Sequence, residues 1–175
     1  MKIIDNYKYF IGDLLLLASL EFTLNLSGSS EKLIEIASNY DQLSKYLPNQ
    51  LKSIKIIEKN DHDTITEEEL VFSSIIKNKI IQQTRHSKVS NNKLKSEIIS
   101  GPANGSVVIV NFSKIDEGTQ VFVTIDLKLS LKAKFLSPLI KKLYKTIMSG
   151  ILYKMNAEAQ QQKSRVWKVI KWMTI

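Results

Sequence analysis

Residues 19–27, SLEFTLNLS, alternate without interruption: Leu20, Phe22, Leu24 and Leu26 fall on one side, Glu21, Thr23 and Asn25 on the other. A period of two predicts a strand with one buried face. Gly28 and Ser29 end it. Ser29 or Ser30 can cap a following helix, and Glu31 puts negative charge in its first turn. Leu33, Ile34, Ile36, Ala37 and Tyr40 fit one helical face, and residues 39–41 read as a break. A second short helix uses Leu43, Tyr46 and Leu47 and is stopped by Pro48 and Asn49. Upstream, Tyr7, Phe10, Ile11, Leu14, Leu17 and Ala18 recur at helical spacing, which predicts a short amphipathic helix over residues 1–18.

Strand patterns separated by polar turns follow. Residues 51–59 alternate at Ile54 and Ile56, with Ile57 marking a bulge. Residues 60–63 turn, residues 64–72 form the next strand, and Ser73, Ser74, Lys77 and Asn78 are turn residues around Ile75 and Ile76. Residues 79–89, KIIQQTRHSKV, make a long polar strand; residues 94–100 make another, ended by the breaker run GPANG at 101–105. A wide hairpin, 106–115 and 119–131, closes the series around Asp116, Glu117, Gly118 and Thr119. The connections are too short for parallel crossovers, so the sheet is antiparallel.

The last pattern begins at Ser137-Pro138, a favourable helix start. Leu136, Ile140, Leu143, Ile147, Ile151 and Met155 make one apolar stripe, widened by Leu139, Tyr144, Met148 and Leu152. Lys141, Lys142, Lys145 and Lys154 lie mostly off it. So wide a stripe suits a broad concave surface. Gly150 interrupts the helix at a cost of about 0.5–1 kcal/mol relative to alanine, which points to close backbone approach or room left for a ligand. The expected fold class is α+β: a seven-stranded curved antiparallel sheet wrapped around a long C-terminal helix, with two short helices after the first strand.

Composition narrows the chemistry. The 175 residues fit one domain, and 43% hydrophobic content argues against disorder. The chain has no cysteine, which removes disulfides, thiolate catalysis and cysteine metal sites. The apolar run at 14–20 is far short of the roughly 20 residues of a membrane span, and the opening residues carry no signal-peptide pattern. A cytoplasmic protein is expected, with peripheral membrane association as an extension of that reading. Residues 1–100 hold 13 basic and 13 acidic side chains, whereas residues 101–175 hold 12 basic and 4 acidic. Such asymmetry fits a solvated helix face, an anionic membrane or acidic partner, and, last in rank, nucleic acid.

After Gln160-Gln161-Gln162, residues Val166, Trp167, Ile170 and Met173 form a short apolar face among Lys163, Arg165, Lys168 and Lys171, with Trp172 beside it. Lys163, Arg165, Trp167, Lys168, Lys171 and Trp172 are therefore the candidate contacts to a membrane surface or partner; a homodimer is the other use for such a face. The expected organisation is an N-terminal extension at 1–18, a ligand-binding domain at 19–160, and a basic amphipathic tail at 161–175 continuing the last helix.

Catalytic chemistry is sparse. His62 sits in a polar turn between Asp61 and Asp63, too adjacent to build a metal shell, so no metal or other cofactor is expected. His86, mid-strand beside Arg85, is a weak acid–base candidate. Glu67 and Glu69 share one strand face and Glu68 the other, so one of the three could be a buried carboxyl with a raised pKa; Glu67 and Glu69 are the weak catalytic candidates. Arg85 is a candidate anchor for a polar headgroup. No phosphate loop, nucleophile elbow or paired-carboxylate pattern is present.

The order of strand, paired short helices, antiparallel run and long closing helix resembles the helix-grip fold of START-like (SRPBCC) proteins. LEFTLNLSGSSEKLIEIASNYDQLSKYLPNQLKSIKIIEK is similar to the opening of the coenzyme Q-binding and polyketide cyclase/dehydrase branch. GPANGSVVIVNFSKIDEGTQVFVTIDLKL is similar to its late strands, with Gly118-Thr119 at a frequent Gly-Thr turn. The family's usual tryptophan at the end of the helix pair is absent; positions 46–49 read YLPN. The resemblance implies a hydrophobic cavity between sheet and last helix, holding a lipid- or quinone-like molecule. Leu139, Leu143, Ile147, Ile151 and Met155 would form its helical wall, and Phe112, Phe122 and Thr124 its sheet wall. A cyclase/dehydrase acting on a polyketide-like or aromatic substrate in the same cavity is the alternative, and a basic nucleic-acid- or ribosome-associated module a second one.

Overall fold

The computed structural model describes residues 15–71, 79–130 and 137–173, with side chains at 18–71, 79–128 and 137–162. Seven strands run in the order β1 (Leu15–Leu26), β2 (Leu51–Lys59), β3 (Asp63–Leu70), β4 (Ile80–Ser90), β5 (Lys93–Ser100), β6 (Val107–Ile115) and β7 (Gly118–Ser130). Helices α1 (Ser30–Ala37) and α2 (Leu43–Tyr46) bracket a 3-10 turn at Tyr40–Gln42, and α3 spans Ser137–Met173. Every strand pair is antiparallel, in the spatial order β1-β7-β6-β5-β4-β3-β2. β1 and β2 are consecutive in sequence yet lie at opposite edges, and α1 and α2 bridge them. The expected seven-stranded antiparallel sheet around a long closing helix is what forms.

One element differs. The helical spacing over residues 1–18 does not make a helix at 15–18. These residues extend β1, pairing Leu15 with Ser130 through to Ala18 with Leu127. β7 is 13 residues long, so it offers ladder partners to residues 15–18, and a strand there satisfies the backbone polar groups that face β7. The rest of that segment, residues 1–14, lies outside the described residues, as do Phe72 to Asn78 and Leu136.

Register fixes which side chains face inward. The inner face of β7 is Val121, Val123, Ile125 and Leu127, all 0% exposed. Ala18, Phe22 and Leu26 of β1 and Phe112 of β6 join the same core. Each of these side chains larger than alanine contributes about 1.5–3 kcal/mol by leaving water. The bulge expected at Ile57 is present: the β2–β3 register skips it between Ile56 and Glu58, and its side chain is 49% exposed.

The second half of α3 is clamped to the start of the chain. Asn156 Oδ1 accepts the Gly28 N–H at 2.8 Å. Glu158 accepts the Tyr46 hydroxyl at 2.8 Å and Lys45 Nζ at 2.9 Å, while Lys154 Nζ donates to the Tyr46 carbonyl at 2.9 Å. A Cβ on Gly28 would sit 3.0 Å from Asn156 Oδ1 and 3.3 Å from the Ala159 Cβ. The close approach expected at Gly150 therefore occurs at Gly28. A Cβ on Gly150 meets nothing within 4 Å. Gly150→Ala is expected to stabilise the protein by about 0.5–1 kcal/mol, since alanine loses less backbone freedom in a helix; urea denaturation checks it, and a destabilised variant would refute it.

Candidate functional site

A cavity of about 210 Å³ lies between the inner face of the sheet and α3. Its helical wall is Tyr144, Ile147, Met148, Ile151, Leu152 and Met155. Three of the five expected wall residues are there: Ile147, Ile151 and Met155. Leu139 is 49% exposed and Leu143 does not reach the cavity. The reason is helical drift. A run of residues at spacing four turns about 40° per step at 3.6 residues per turn. From Leu139 to Met155 it winds about 160° around the axis, so its first members leave the wall and Tyr144 and Met148 replace them.

On the sheet, Phe112 lines the cavity as expected, 2% exposed. Phe122 and Thr124 do not. They share the outer face of β7, with Phe122 40% exposed, while their neighbours Val121 and Val123 face inward. A one-residue difference in facing moves every side chain to the other side.

The inner face divides into two regions. β1, β6 and β7 present hydrocarbon. β3 and β4 present Thr64, Thr66, Glu68, Gln82, Thr84 and His86, all buried. Register places them together, pairing Thr64 with His86, Thr66 with Thr84, and Glu68 with Gln82. Glu68 is the carboxyl that enters; Glu67 and Glu69 lie on the opposite face, with Glu69 paired to Lys79 at 2.6 Å. Arg85 is also on that outer side, exposed and 3.9 Å from Asp63, so it anchors nothing in the cavity.

Three neutral donors converge on the Glu68 carboxylate. Thr66 Oγ1 reaches Oε1 at 2.9 Å, and Gln82 Nε2 and Thr84 Oγ1 reach Oε2 at 2.6 and 3.0 Å. Burial pushes the Glu68 carboxyl up, but the nearby His86 imidazole and the donors Gln82 and Thr66 outweigh it and hold it below its ordinary value. The site therefore contains a buried carboxylate anion.

His86 closes the network. Its Nε2 is 3.0 Å from Thr66 Oγ1 and 3.7 Å from Glu68 Oε1, and its Nδ1 is 2.8 Å from Ser96 Oγ. The carboxylate can only accept, so Thr66 gives it the hydroxyl proton. Thr66 Oγ1 must then accept from His86 Nε2–H, which assigns the proton on that nitrogen. Tyr40 stacks on the ring at 4.0 Å between centroids. Both imidazole nitrogens and one face are thus occupied by the protein. The phenols of Tyr40 and Tyr144, also on the cavity wall, carry no hydrogen bond to another described residue. Burial pushes the Tyr40 phenol up to about 12 and raises that of Tyr144.

Among the described residues no group of three or more acidic, histidine or cysteine side chains could hold a metal, and His62 is exposed in its turn. No described helix is long and apolar enough to cross a membrane. Lys163, Arg165, Trp167, Lys168, Lys171 and Trp172 have their backbone in α3, which continues without a break past the glutamines to Met173; their side chains lie outside the described residues.

No family model and no curated protein matches the sequence. Solved structures do match the fold. The di-domain ARO/CYC StfQ of the steffimycin biosynthetic pathway superposes with a TM-score of 0.73 at 11% identity over 85% of this chain. The chain spans about half, 52%, of that protein. A START superfamily protein from Mycobacterium smegmatis gives 0.67 at 13% identity, over 82% of this chain and 98% of its own. Norcoclaurine synthase from Thalictrum flavum gives 0.66 at 15% identity, over 90% and 97%. With the sheet, the bracket and the closing helix in place, these likenesses establish that the chain has a START-like helix-grip fold, the fold it shares with these structures at low sequence identity.

Proposed function

We propose that the protein binds and carries a compact hydrophobic molecule bearing one polar end. The observation that carries this is the division of the cavity wall: hydrocarbon on the helix and on β6, a hydrogen-bonded polar patch on β3 and β4. The apolar part supplies affinity at about 25 cal/mol per Å² removed from water, and the polar patch orients. A volume of about 210 Å³ is below the roughly 300 Å³ of the smallest pockets for drug-sized ligands. This favours a ring compound or the end of a chain over a whole lipid. Nothing in the wall selects a quinone.

Carriage is favoured over catalysis because both His86 nitrogens are already engaged, leaving neither free to take a proton from a substrate. Native mass spectrometry of the purified protein is expected to show a retained apolar ligand, and Met148→Trp, which fills the cavity, to lose it. An empty wild-type protein that takes up nothing from a cell lipid extract would sink the reading.

A cyclase-type enzyme is the second reading. The convergence of Glu68 and His86 on an apolar cavity favours it, as does the likeness to ARO/CYC proteins and to norcoclaurine synthase, which was solved with dopamine and hydroxybenzaldehyde bound. It requires His86 to leave Thr66 or Ser96 when substrate enters. Turnover that survives in His86→Gln would exclude that role. The basic C-terminal residues are proposed to meet an anionic membrane or acidic partner, with nucleic acid ranked last because the charge asymmetry alone speaks for it.

A further inference from the structure

Among the described residues, the Glu68 carboxylate is the one acid in the cavity wall, and no lysine or arginine lines the cavity with it. Several other described acids have ammonium partners: Glu69 has Lys79, Glu97 has Lys95, and Glu158 has Lys45. Among the described residues Glu68 has neutral donors and the His86 ring at 3.7 Å, which is a cation only when protonated. A buried carboxylate without a permanent cation is unfavourable in an apolar surrounding.

Described residues do not take all of its acceptor positions. A carboxylate offers about four acceptor positions. Oε2 receives two hydrogen bonds, from Gln82 and Thr84, whereas Oε1 receives one, from Thr66. His86 lies beyond hydrogen-bond distance of Oε1 and directs its Nε2–H to Thr66 instead. One position on Oε1 remains for a donor. The aromatic rings of Tyr40 and Tyr144 line the same cavity, and ring faces attract cations.

We infer that the cavity selects an organic cation: a small ring-bearing ammonium ion whose N–H bonds Glu68 Oε1 and whose hydrocarbon fills the space under α3. The inference rests on the proposed binding role and specifies its ligand class. A protonated amine supplies a permanent compensating charge and a further donor. The pairing forms at a buried carboxylate, so it discriminates more strongly than the same pair at a surface. A neutral molecule of the same shape fills the cavity but brings no charge to the carboxylate.

Titration calorimetry at pH 7 with benzylammonium, benzyl alcohol and toluene tests this in the wild-type protein. Benzylammonium is expected to bind at least tenfold more tightly than either neutral compound. That preference should vanish in Glu68→Gln and persist in Glu69→Gln, whose side chain is on the outer face. Equal affinity for the three compounds in wild type overturns the cation assignment while leaving the cavity reading intact. Absence of binding by all three overturns both. A preference retained in folded Glu68→Gln overturns the role of that carboxylate. Should Glu68→Gln not fold, the comparison of the three compounds in wild type decides the matter alone.

Discussion

Gly118→Ala is expected to destabilise the protein by about 3 kcal/mol or more, the largest effect of alanine at any of the described glycines. Two causes add. Gly118 has φ +135°, a region that side-chain-bearing residues rarely occupy, and strain of that kind costs about 1–3 kcal/mol. A Cβ there would also clash with the Leu26 carbonyl oxygen and lie 2.9 Å from the Ser27 Cα. Those are backbone atoms, held by the pairing of Leu26 with Thr119 and by the Thr119 hydroxyl bonded to the Gly28 carbonyl at 2.7 Å. No rotamer change relieves the contact, so overpacking adds about another 1–3 kcal/mol. Total stability of a domain is about 5–15 kcal/mol, so the variant loses a large share of it. Urea denaturation measures this; a midpoint within error of wild type would show that the β6–β7 turn and β1 separate easily. Gly150→Ala, the same chemical change in open space, has the opposite expected sign.

The contrast between these glycines shows what sequence can carry. Gly118 was legible because a Gly at a tight turn between two alternating strands has one common use. Gly150 was not, since a helical glycine gives no sign of what lies opposite it; the close contact belongs to Gly28, which reads as an ordinary strand terminator. The bulge at Ile57 was legible because two apolar residues in succession break a period of two.

Facing was harder. In β7 each of the two alternative faces carries a bulky apolar residue near the hairpin, Phe122 on one and Val121 with Val123 on the other, so Phe122 and Thr124 looked suited to the interior. The deciding signal lay further along. Asp126 and Lys128 share the face of Phe122 and Thr124, and two charged residues place the whole set outside. In β3 and β4 the rule itself is reversed. Ile65 and Ile81 face outward, Ile81 with 63% of its surface exposed, while threonine, glutamate, glutamine and histidine face the cavity. Reading hydrophobic positions as interior assigns this half of the sheet the wrong way round. Such inversions are expected at functional sites, where local preference yields to the ligand. The alternation of Glu67, Glu68 and Glu69 therefore shows that one face of β3 carries Glu68 alone, but not that this face is the inner one.

Glu68→Leu, which removes the acceptor at the centre of that network, is expected to destabilise the protein by about 3 kcal/mol. The substitution keeps apolar bulk but strands the Gln82 amide and the Thr66 and Thr84 hydroxyls, and each buried unsatisfied group costs about 1–3 kcal/mol. Part is recovered because a threonine hydroxyl can rotate toward another acceptor, whereas the Gln82 amide loses its 2.6 Å bond outright. The wild-type protein should also show a dependence on acid that the variant lacks. The Glu68 carboxyl is held below its ordinary value of 4.5 in the folded state. Between the folded and unfolded values the unfolded chain binds more protons, so stability rises with pH across that window. The contribution of Glu68 is complete above the ordinary value and is lost as pH falls through the lowered folded value. Equilibrium melts of wild type and Glu68→Leu from pH 7 down to 3 should therefore draw closer together towards the acid end. Parallel curves would mean that the carboxyl titrates alike in the folded and unfolded chains, and curves that move apart towards acid would mean that it is protonated when folded. Either result would sink the buried anion and, with it, the cation it selects.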